Sequence, residues 1–291
     1  MASSELHYPV MAAEVLEYLA PRPDGVYIDA TAGLGGHTAA IASRLTEGRV
    51  YACDRDPESL ELARRNTAEW ADRIRWVETK FSDLRRSLAL AGLERADGLV
   101  ADLGASRYQL TDPQRGFSFT VSGPLDMRMS RAQTTTAADI VNYAAEHELS
   151  DLIWRLGQER RGRRIARAIV RGRPVTTTGQ LAGIVESAVP RTGRLHPATR
   201  TFMALRLAVN SELEELDALL GQLPALVKAG GRAIVLAFTS LEDGKAKSAL
   251  RDLARSGRAR ILTKHVVKPS EEEVRRNAPS RSARLRAVEL L

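Results

Sequence analysis

Two apolar runs that each end in an acid, with a glycine-rich turn between them, constrain this chain most. Val26-Tyr-Ile-Asp29 leads into Ala-Thr-Ala-Gly33-Leu-Gly35-Gly36-His37 and then a helical pattern. Arg49-Val-Tyr-Ala-Cys-Asp54 follows, its acid 21 residues beyond Gly33. This is a strand, turn, helix and strand of the kind that holds a nucleoside-type cofactor. A dinucleotide fingerprint counted from Gly33 needs a third glycine where Thr38 stands, so the strict pattern fails. The looser Asp29-x-x-x-Gly33-x-Gly35-Gly36 arrangement suits S-adenosylmethionine, whose amino-acid end replaces a pyrophosphate at the turn.

The unit repeats downstream. Strands are expected at 26–30, 49–53, 74–78 and 96–102, separated by helices at 36–45, 56–70 and 84–92, with Asp56 capping the second of these. A further helix is expected at 9–20. Four strands alternating with helices predict a parallel, doubly wound α/β sheet, whose ligands sit beyond the carboxyl ends of the strands. Asp29, Asp54, Phe81 and Asp102 fall at or just after such ends. In this reading Asp54 accepts hydrogen bonds from the ribose hydroxyls, Phe81 packs near adenine, and Asp102 faces the gap into which the methyl group points. His37 either contacts the ligand or only ties down the turn.

From about 111 to 205 the alternation stops. Residues 137–170 read as helical and arginine-rich, and a helix capped by threonine follows Val175. A helix from Ser211 to Lys228, with capping-box spacing at Ser211 and Glu214, restores the rhythm. Strands at 232–238 and 260–267, a helix at 241–256 and a last strand at 283–290 complete seven strands. The expected organisation is therefore a cofactor-binding domain, 1–110 and 206–291, interrupted by a helical insertion, 111–205.

Bulk properties narrow the classes. In 291 residues there is no run of eighteen apolar side chains and no charged-then-apolar leader, so neither a membrane span nor a secretory signal is expected. The single cysteine, Cys53, excludes a disulfide framework and fits a reducing cytoplasm. The five histidines lack ligand spacing, so no metal is expected. A net charge of +7 suits a polyanion, and the insertion supplies the clustering. Eight arginines lie between Arg155 and Arg173, with Glu159 the one acid. Arg160, Arg164, Arg167 and Arg171 have the spacing of one helix face, which either tracks phosphates or is a solvated charged face. His196 and Arg200, four apart, either hold a phosphate or flipped base or pair locally. Arg275, Arg276, Arg281, Arg284 and Arg286 form a second basic strip.

A pyrimidine C5 methyltransferase needs a thiol nucleophile at the target ring. Cys53 is placed beside the ribose acid instead, which favours a nitrogen or oxygen acceptor. Asp102 is the candidate to accept a hydrogen bond from an acceptor amine, with shaping of the cofactor pocket as its other role.

Longer phrases sharpen this. His7-Tyr-Pro-Val-Met, Asp29-Ala-Thr-Ala-Gly-Leu-Gly-Gly-His37, Asp54-Arg-Asp-Pro57, Phe81-Ser-Asp83, Gly123-Pro-Leu-Asp-Met-Arg-Met129, His196-Pro-Ala-Thr-Arg200 and Pro269-Ser-Glu-Glu-Glu273 are spread along the chain. Through them the chain resembles, nearly end to end, the bacterial ribosomal RNA small subunit methyltransferase H family. The resemblance implies a Rossmann-like class I fold with a seven-stranded sheet. It implies S-adenosylmethionine-dependent N4-methylation of a cytidine in the decoding region of 16S rRNA within the small ribosomal subunit. It maps cofactor contacts onto Gly35, Gly36, His37, Asp54, Phe81, Asp102 and Gln109. The sequence departs from the family pattern at Thr239, usually histidine, at Gly244, usually arginine, at Leu156-Gly-Gln-Glu-Arg160, and at Ala105-Ser106-Arg107-Tyr108. A cofactor-binding assembly factor that methylates weakly or not at all, or a methyltransferase with another nucleic-acid target, is the alternative reading.

Overall fold

The computed structural model describes residues 9–191 and 195–291. His7 of the N-terminal phrase lies outside the described residues. The chain divides into two compact units, residues 1–104 with 213–291, and residues 105–212. These seams lie six to seven residues from the expected boundaries at 110/111 and 205/206.

In the first unit the order is α1 (Ala12–Leu19), β1 (Val26–Asp29), α2 (Gly36–Ala42), β2 (Arg49–Asp54), α3 (Pro57–Asn66), β3 (Ile74–Glu78), α4 (Leu84–Leu90) and β4 (Ala96–Asp102). The second unit holds α5 (Arg107–Thr111), α6 (Ala137–Tyr143), α7 (Glu146–Gly157), α8 (Gly162–Arg171), α9 (Thr178–Ala188) and α10 (Thr199–Val209). The chain then continues through α11 (Glu212–Leu226), β5 (Val227–Ala237), α12 (Ser240–Arg255), β6 (Ala259–Ile261), α13 (Glu271–Arg276) and β7 (Arg284–Leu290).

The seven strands form one sheet in the order β3-β2-β1-β4-β5-β7-β6. All neighbours are parallel except β7, which runs antiparallel to β5 and to β6. The order reverses between β1 and β4, where doubly wound sheets open a crevice at their carboxyl ends. Alternation along the strands builds two cores. Ile28, Leu99, Ala101 and Val235 pack under the leucines of α11 and α12, whereas Tyr27, Val100, Ile234 and Leu236 pack under Val15 and Leu19 of α1 and Ile41 of α2. A sheet covered on both faces explains why the parallel strands read as continuous apolar runs.

Asp56 caps α3 as expected, accepting from the Glu58 N–H at 3.1 Å, with Pro57 at the first helical position. Four local expectations change. The helical stretch 137–170 is three helices, broken after Tyr143 and Gly157. Ser211 does not cap α11: its φ of 48° is left-handed, not the extended conformation a cap needs. Strand five begins at Val227 and runs through Ala229-Gly-Gly231, which the glycines suggested as a helix terminator. β6 stops at Ile261, because Thr263 takes over the next ladder position with its hydroxyl, accepting from the Ala287 N–H at 3.0 Å.

The second unit has its own core, in which Leu149 and Ile153 of α7, Ile165 and Ile169 of α8, Leu181 and Val185 of α9 and Phe202 of α10 are buried together. The buried positions of α8, Ile165, Ala166 and Ile169, leave Arg163, Arg164, Arg167 and Arg171 exposed.

Candidate active site

The carboxyl ends of β1, β2 and β4 bring together four of the expected groups. Asp29 closes β1 fully buried. It accepts from the Thr38 hydroxyl at 2.6 Å and the Thr31 N–H at 3.1 Å. Thr38, where a dinucleotide site would carry glycine, thus ties the first turn of α2 to the strand end. Burial raises the Asp29 pKa, although the nearby His37 and the Thr38 hydroxyl pull against that rise.

The turn is shaped by its glycines. Gly35 stands at φ 90°, and a Cβ there would come within 2.6 Å of the Thr67 methyl. Asn66 holds the turn from outside, its amide donating to the Leu34 carbonyl at 3.0 Å. Gly33 donates its N–H to Asp54 Oδ2 at 2.8 Å, and Asp56 donates to Oδ1 at 2.9 Å. Two backbone donors fix the Asp54 carboxyl and leave each oxygen a further lone pair. Burial nonetheless pushes its pKa up to about 6, against the pull of those two N–H groups.

His37, in the first turn of α2, is buried. Its Nε2 stands 3.5 Å from Asp102 Oδ2, an ion-pair contact at the far limit of hydrogen bonding. Burial pulls the imidazole pKa down, but Asp102 first and Asp29 next outweigh it and hold the value above the usual range. Asp102 is placed by its own N–H, which donates to the Thr31 hydroxyl at 2.6 Å, joining the ends of β4 and β1. Both His37 ring nitrogens and Asp102 Oδ1 are buried and lack a hydrogen-bond partner among the described residues. Buried polar atoms are normally paired, so three orphans in one place mark where a polar ligand belongs. Glu273 of α13 accepts from the Met11 N–H at 2.7 Å, and its charge is felt by both His37 and Asp102. Burial raises its pKa.

Phe81 follows β3, half-buried against the core beneath α11, and its carbonyl accepts from Gln222 at 2.8 Å. Gln109 belongs to the second unit. There its side chain accepts from the Ser106 N–H at 3.0 Å in a capping box that starts α5, and it is buried. Its resemblance-derived role as a cofactor contact is therefore a proposal resting on a group already engaged locally.

The model of the MraW methylase family matches residues 4–291. The chain belongs to the MraW methylase family. "Ribosomal RNA small subunit methyltransferase H" of Solibacter usitatus is 58% identical over 285 residues, covering 98% of this chain and 100% of that protein. The protein of the same name in Acidobacterium capsulatum is 48% identical, covering 98% of each chain. In Nostoc punctiforme the identity is 44%, over 98% of this chain and 94% of the relative.

The cofactor of this MraW methylase is S-adenosylmethionine, which supplies an electrophilic methyl on a sulfonium. The residues fit it: a glycine cradle that excludes side chains, an acid with free lone pairs at the end of β2, and the orphaned ring nitrogens of His37 in the first turn of α2. Asp29, Thr31, Thr38 and Asn66 hold that arrangement from behind. The sequence pattern named Asp29 but gave the other three no role, because their partners are distant in sequence or in backbone. Among the described residues no cluster of histidine, cysteine, aspartate and glutamate has the geometry of a metal site. No helix among them is long and apolar enough to cross a membrane.

The second unit corrects the arginine face. Arg160 lies in the turn after α7 and not on α8, so it does not share a helix face with Arg164, Arg167 and Arg171. Arg167 pairs with Glu146 at 3.3 Å. Arg163, Arg164 and Arg171 are exposed and make no ion pair among the described residues. His196 and Arg200 are engaged locally. His196 Nδ1 accepts from the Ala198 N–H at 3.2 Å and its ring lies 4.7 Å from that of Phe119. Arg200 reaches the Gln158 carbonyl at 3.2 Å and Glu159 at 3.5 Å. Trp154 on α7, which the sequence reading gave no role, is 60% exposed. Its backbone N and Cβ lie close to Gly162, the first residue of α8. The period-3.6 pattern of α7, with Leu149 and Ile153 inward, could have flagged it.

One of the departures acquires a structural role. Thr239 caps α12, accepting from the Glu242 N–H at 3.2 Å, while Glu242 accepts from Phe238 and Thr239. Gly244 lies in α12 with open space for 4 Å around the place a Cβ would take, so the helix there gains no contact and loses none.

Proposed function

We propose that this chain transfers the methyl group of S-adenosylmethionine to the exocyclic N4 of a cytidine in the decoding region of 16S rRNA. The observation that carries the reading is the likeness, along the whole chain, to small-subunit rRNA methyltransferases at up to 58% identity. In the transfer the methyl carbon–sulfur bond breaks, a carbon–nitrogen bond forms, and one amine proton leaves. The chain's contribution is positioning, which supplies most of the catalysis for an in-line displacement. Asp54 takes the ribose hydroxyls, and the turn at Gly33–Gly36 admits the amino-acid end.

Asp102 Oδ1, buried and unpartnered, accepts a hydrogen bond from the amine and orients its lone pair, while Oδ2 is held by His37. Support for nitrogen over a ring carbon comes from Cys53. It is fully buried, and burial pushes its pKa well above that of a free thiol, so it offers no nucleophile. Arg163, Arg164 and Arg171 hold rRNA phosphates, and Trp154 stacks on a base.

Labelled S-adenosylmethionine incubated with unmethylated small subunits should yield N4-methylcytidine on digestion to nucleosides. Label in another nucleoside, or none, overturns the reading. Asp102→Ala should lower the rate of a single turnover with cofactor affinity nearly kept. An unchanged rate would remove Asp102 from the chemistry.

A further inference from the structure

Beside β6 the first unit holds a cavity of about 390 Å³ between α12 and the strands. Its polar lining is Lys247 and Arg251, one turn apart on α12, with Thr263, Lys264 and Arg286. No carboxylate lines it. Arg286 of the lining is neutralised by Asp243 at 2.6 and 3.1 Å, while Asp217 is committed to Lys245 at 2.6 Å and Glu289 to Arg260 at 2.8 Å. Lys247, Arg251 and Lys264 therefore converge on one cavity with no ion pair among the described residues.

The cavity exists because the ladder stops early. Beyond Ile261 the Leu262 and Thr263 N–H groups both turn to the Ala287 carbonyl, at 3.0 and 3.4 Å, and regular pairing with β7 lapses until Val267 meets Leu285. Since β7 is antiparallel to both neighbours, β6 runs in the same direction as β5 and β4. Its Ile261 end thus lies at the same end of the sheet as Asp102. Arg286 pairs in register with Val235, and Val235 with Ala101. Two strand spacings of about 4.8 Å put the inner wall on the order of 10 Å from β4.

We infer that this cavity is a phosphate-binding site for the backbone of the rRNA substrate, on the methyltransferase unit itself and separate from the arginines of α8. The inference rests on the rRNA reading above. An RNA whose target nucleotide enters at the carboxyl end of β4 must carry its backbone past the strand ends, and the cavity holding Lys247, Arg251 and Lys264 lies along that edge. Lys247, Arg251 and Lys264 neutralise the phosphate, and the Thr263 hydroxyl, already accepting from Ala287, keeps its proton to donate.

The test compares the parent protein with a K247Q/R251Q/K264Q variant, measuring binding to a small-subunit rRNA transcript across a salt series. A control variant, R64Q/R65Q/R75Q, removes the same formal charge near β3, at the opposite edge of the sheet. The expected result is a roughly tenfold weaker complex for the cavity variant and a salt slope shallower by about 1. Cofactor affinity and thermal midpoint should stay as in the parent, and the control should change binding much less. Equal binding and slope in the cavity variant, or an equal loss in the control, overturns the proposal while leaving the rRNA reading intact. Normal binding to naked rRNA with loss only on assembled subunits assigns the cavity to a ribosomal protein and also overturns it. A parent that does not bind rRNA at all sinks both.

Discussion

The strand ends of the first unit and the α8 face of the second both collect charged side chains, but they treat them in opposite ways. At the strand ends Asp29, Asp54 and His37 are surrounded by protein, and backbone N–H groups and threonine hydroxyls fix the acids. Burial raises the titrations of those acids, whereas the carboxylates around His37 raise its titration against the pull of burial. On α8 the arginines stand in water over an apolar underside, and among the described residues only Arg167 has an acid partner. The first arrangement suits one ligand held in one pose. The second suits a polyanion, whose binding comes from summed, salt-sensitive contacts with little demand on geometry. A site for chemistry is preorganised, and a site for a long substrate is left adjustable.

That contrast can be broken. Asp54→Ala should have the largest effect, lowering S-adenosylmethionine affinity roughly 100-fold by calorimetry, as expected for losing charge-assisted hydrogen bonds of about 1.5–3 kcal/mol each. It should leave rRNA binding unchanged. Near-parental cofactor affinity would remove Asp54 from the pocket. A triple Arg163→Gln, Arg164→Gln, Arg171→Gln variant should do the reverse. Its rRNA complex should weaken by about tenfold or more, with a salt slope shallower by about 2, while cofactor binding stays. If cofactor affinity fell in step, the division between the two regions would not hold. Trp154→Ala should weaken rRNA binding about tenfold with the salt slope unchanged, since stacking releases few counterions. A changed slope would mark the indole as a spacer for the arginines.

Thr38→Val, which keeps the shape but removes the donor to buried Asp29, should cost about 1–3 kcal/mol in denaturant unfolding. No measurable loss would mean that Asp29 needs no second donor. The smallest and most diagnostic effect is in pH. The folded-state value of Asp54, about 6, lies above the 3.8 of an unperturbed carboxyl. Between about pH 4 and 6 the folded protein therefore binds more protons than the unfolded chain, and Asp54 makes stability fall as pH rises through that window. Hydroxyl donors prefer the ionised acid, so cofactor affinity should rise over the same interval. Asp54→Asn should flatten both slopes, and curves that keep their shape would assign the titration to another group.

The crevice was legible because its elements are local. The strand-ending acids, the glycine turn and the Asp56 cap each follow from residues within a few positions of one another. The arginine cluster was legible as a cluster, but its face was not. Placing Arg160, Arg164, Arg167 and Arg171 on one helix face put Arg160 in phase with Arg164, whereas the break after Gly157 places it in a turn. Gly231 illustrates the same limit. A glycine pair after an amphipathic helix signals a stop, and α11 does end at Leu226, but Val227 already pairs with Ala96, so Ala229-Gly-Gly231 becomes an irregularity inside strand five before the ladder resumes at Arg232.

By itself, then, the sequence determined the strand–turn–helix unit, the sheet of alternating elements and the presence of a separate basic helical segment, because periodicity and turn chemistry are written in neighbouring residues. Only the tertiary structure decided what each charge is worth. It gave Thr38 to Asp29 and Thr31 to Asp102, and it engaged His196 and Arg200 locally. It left Asp102 Oδ1 buried without a partner and exposed Trp154 beside the arginines. It also gathered Lys247, Arg251 and Lys264 around one cavity from two elements. Burial and pairing depend on partners far along the chain, and the free energy of a charge is set by those surroundings and not by its position in the sequence.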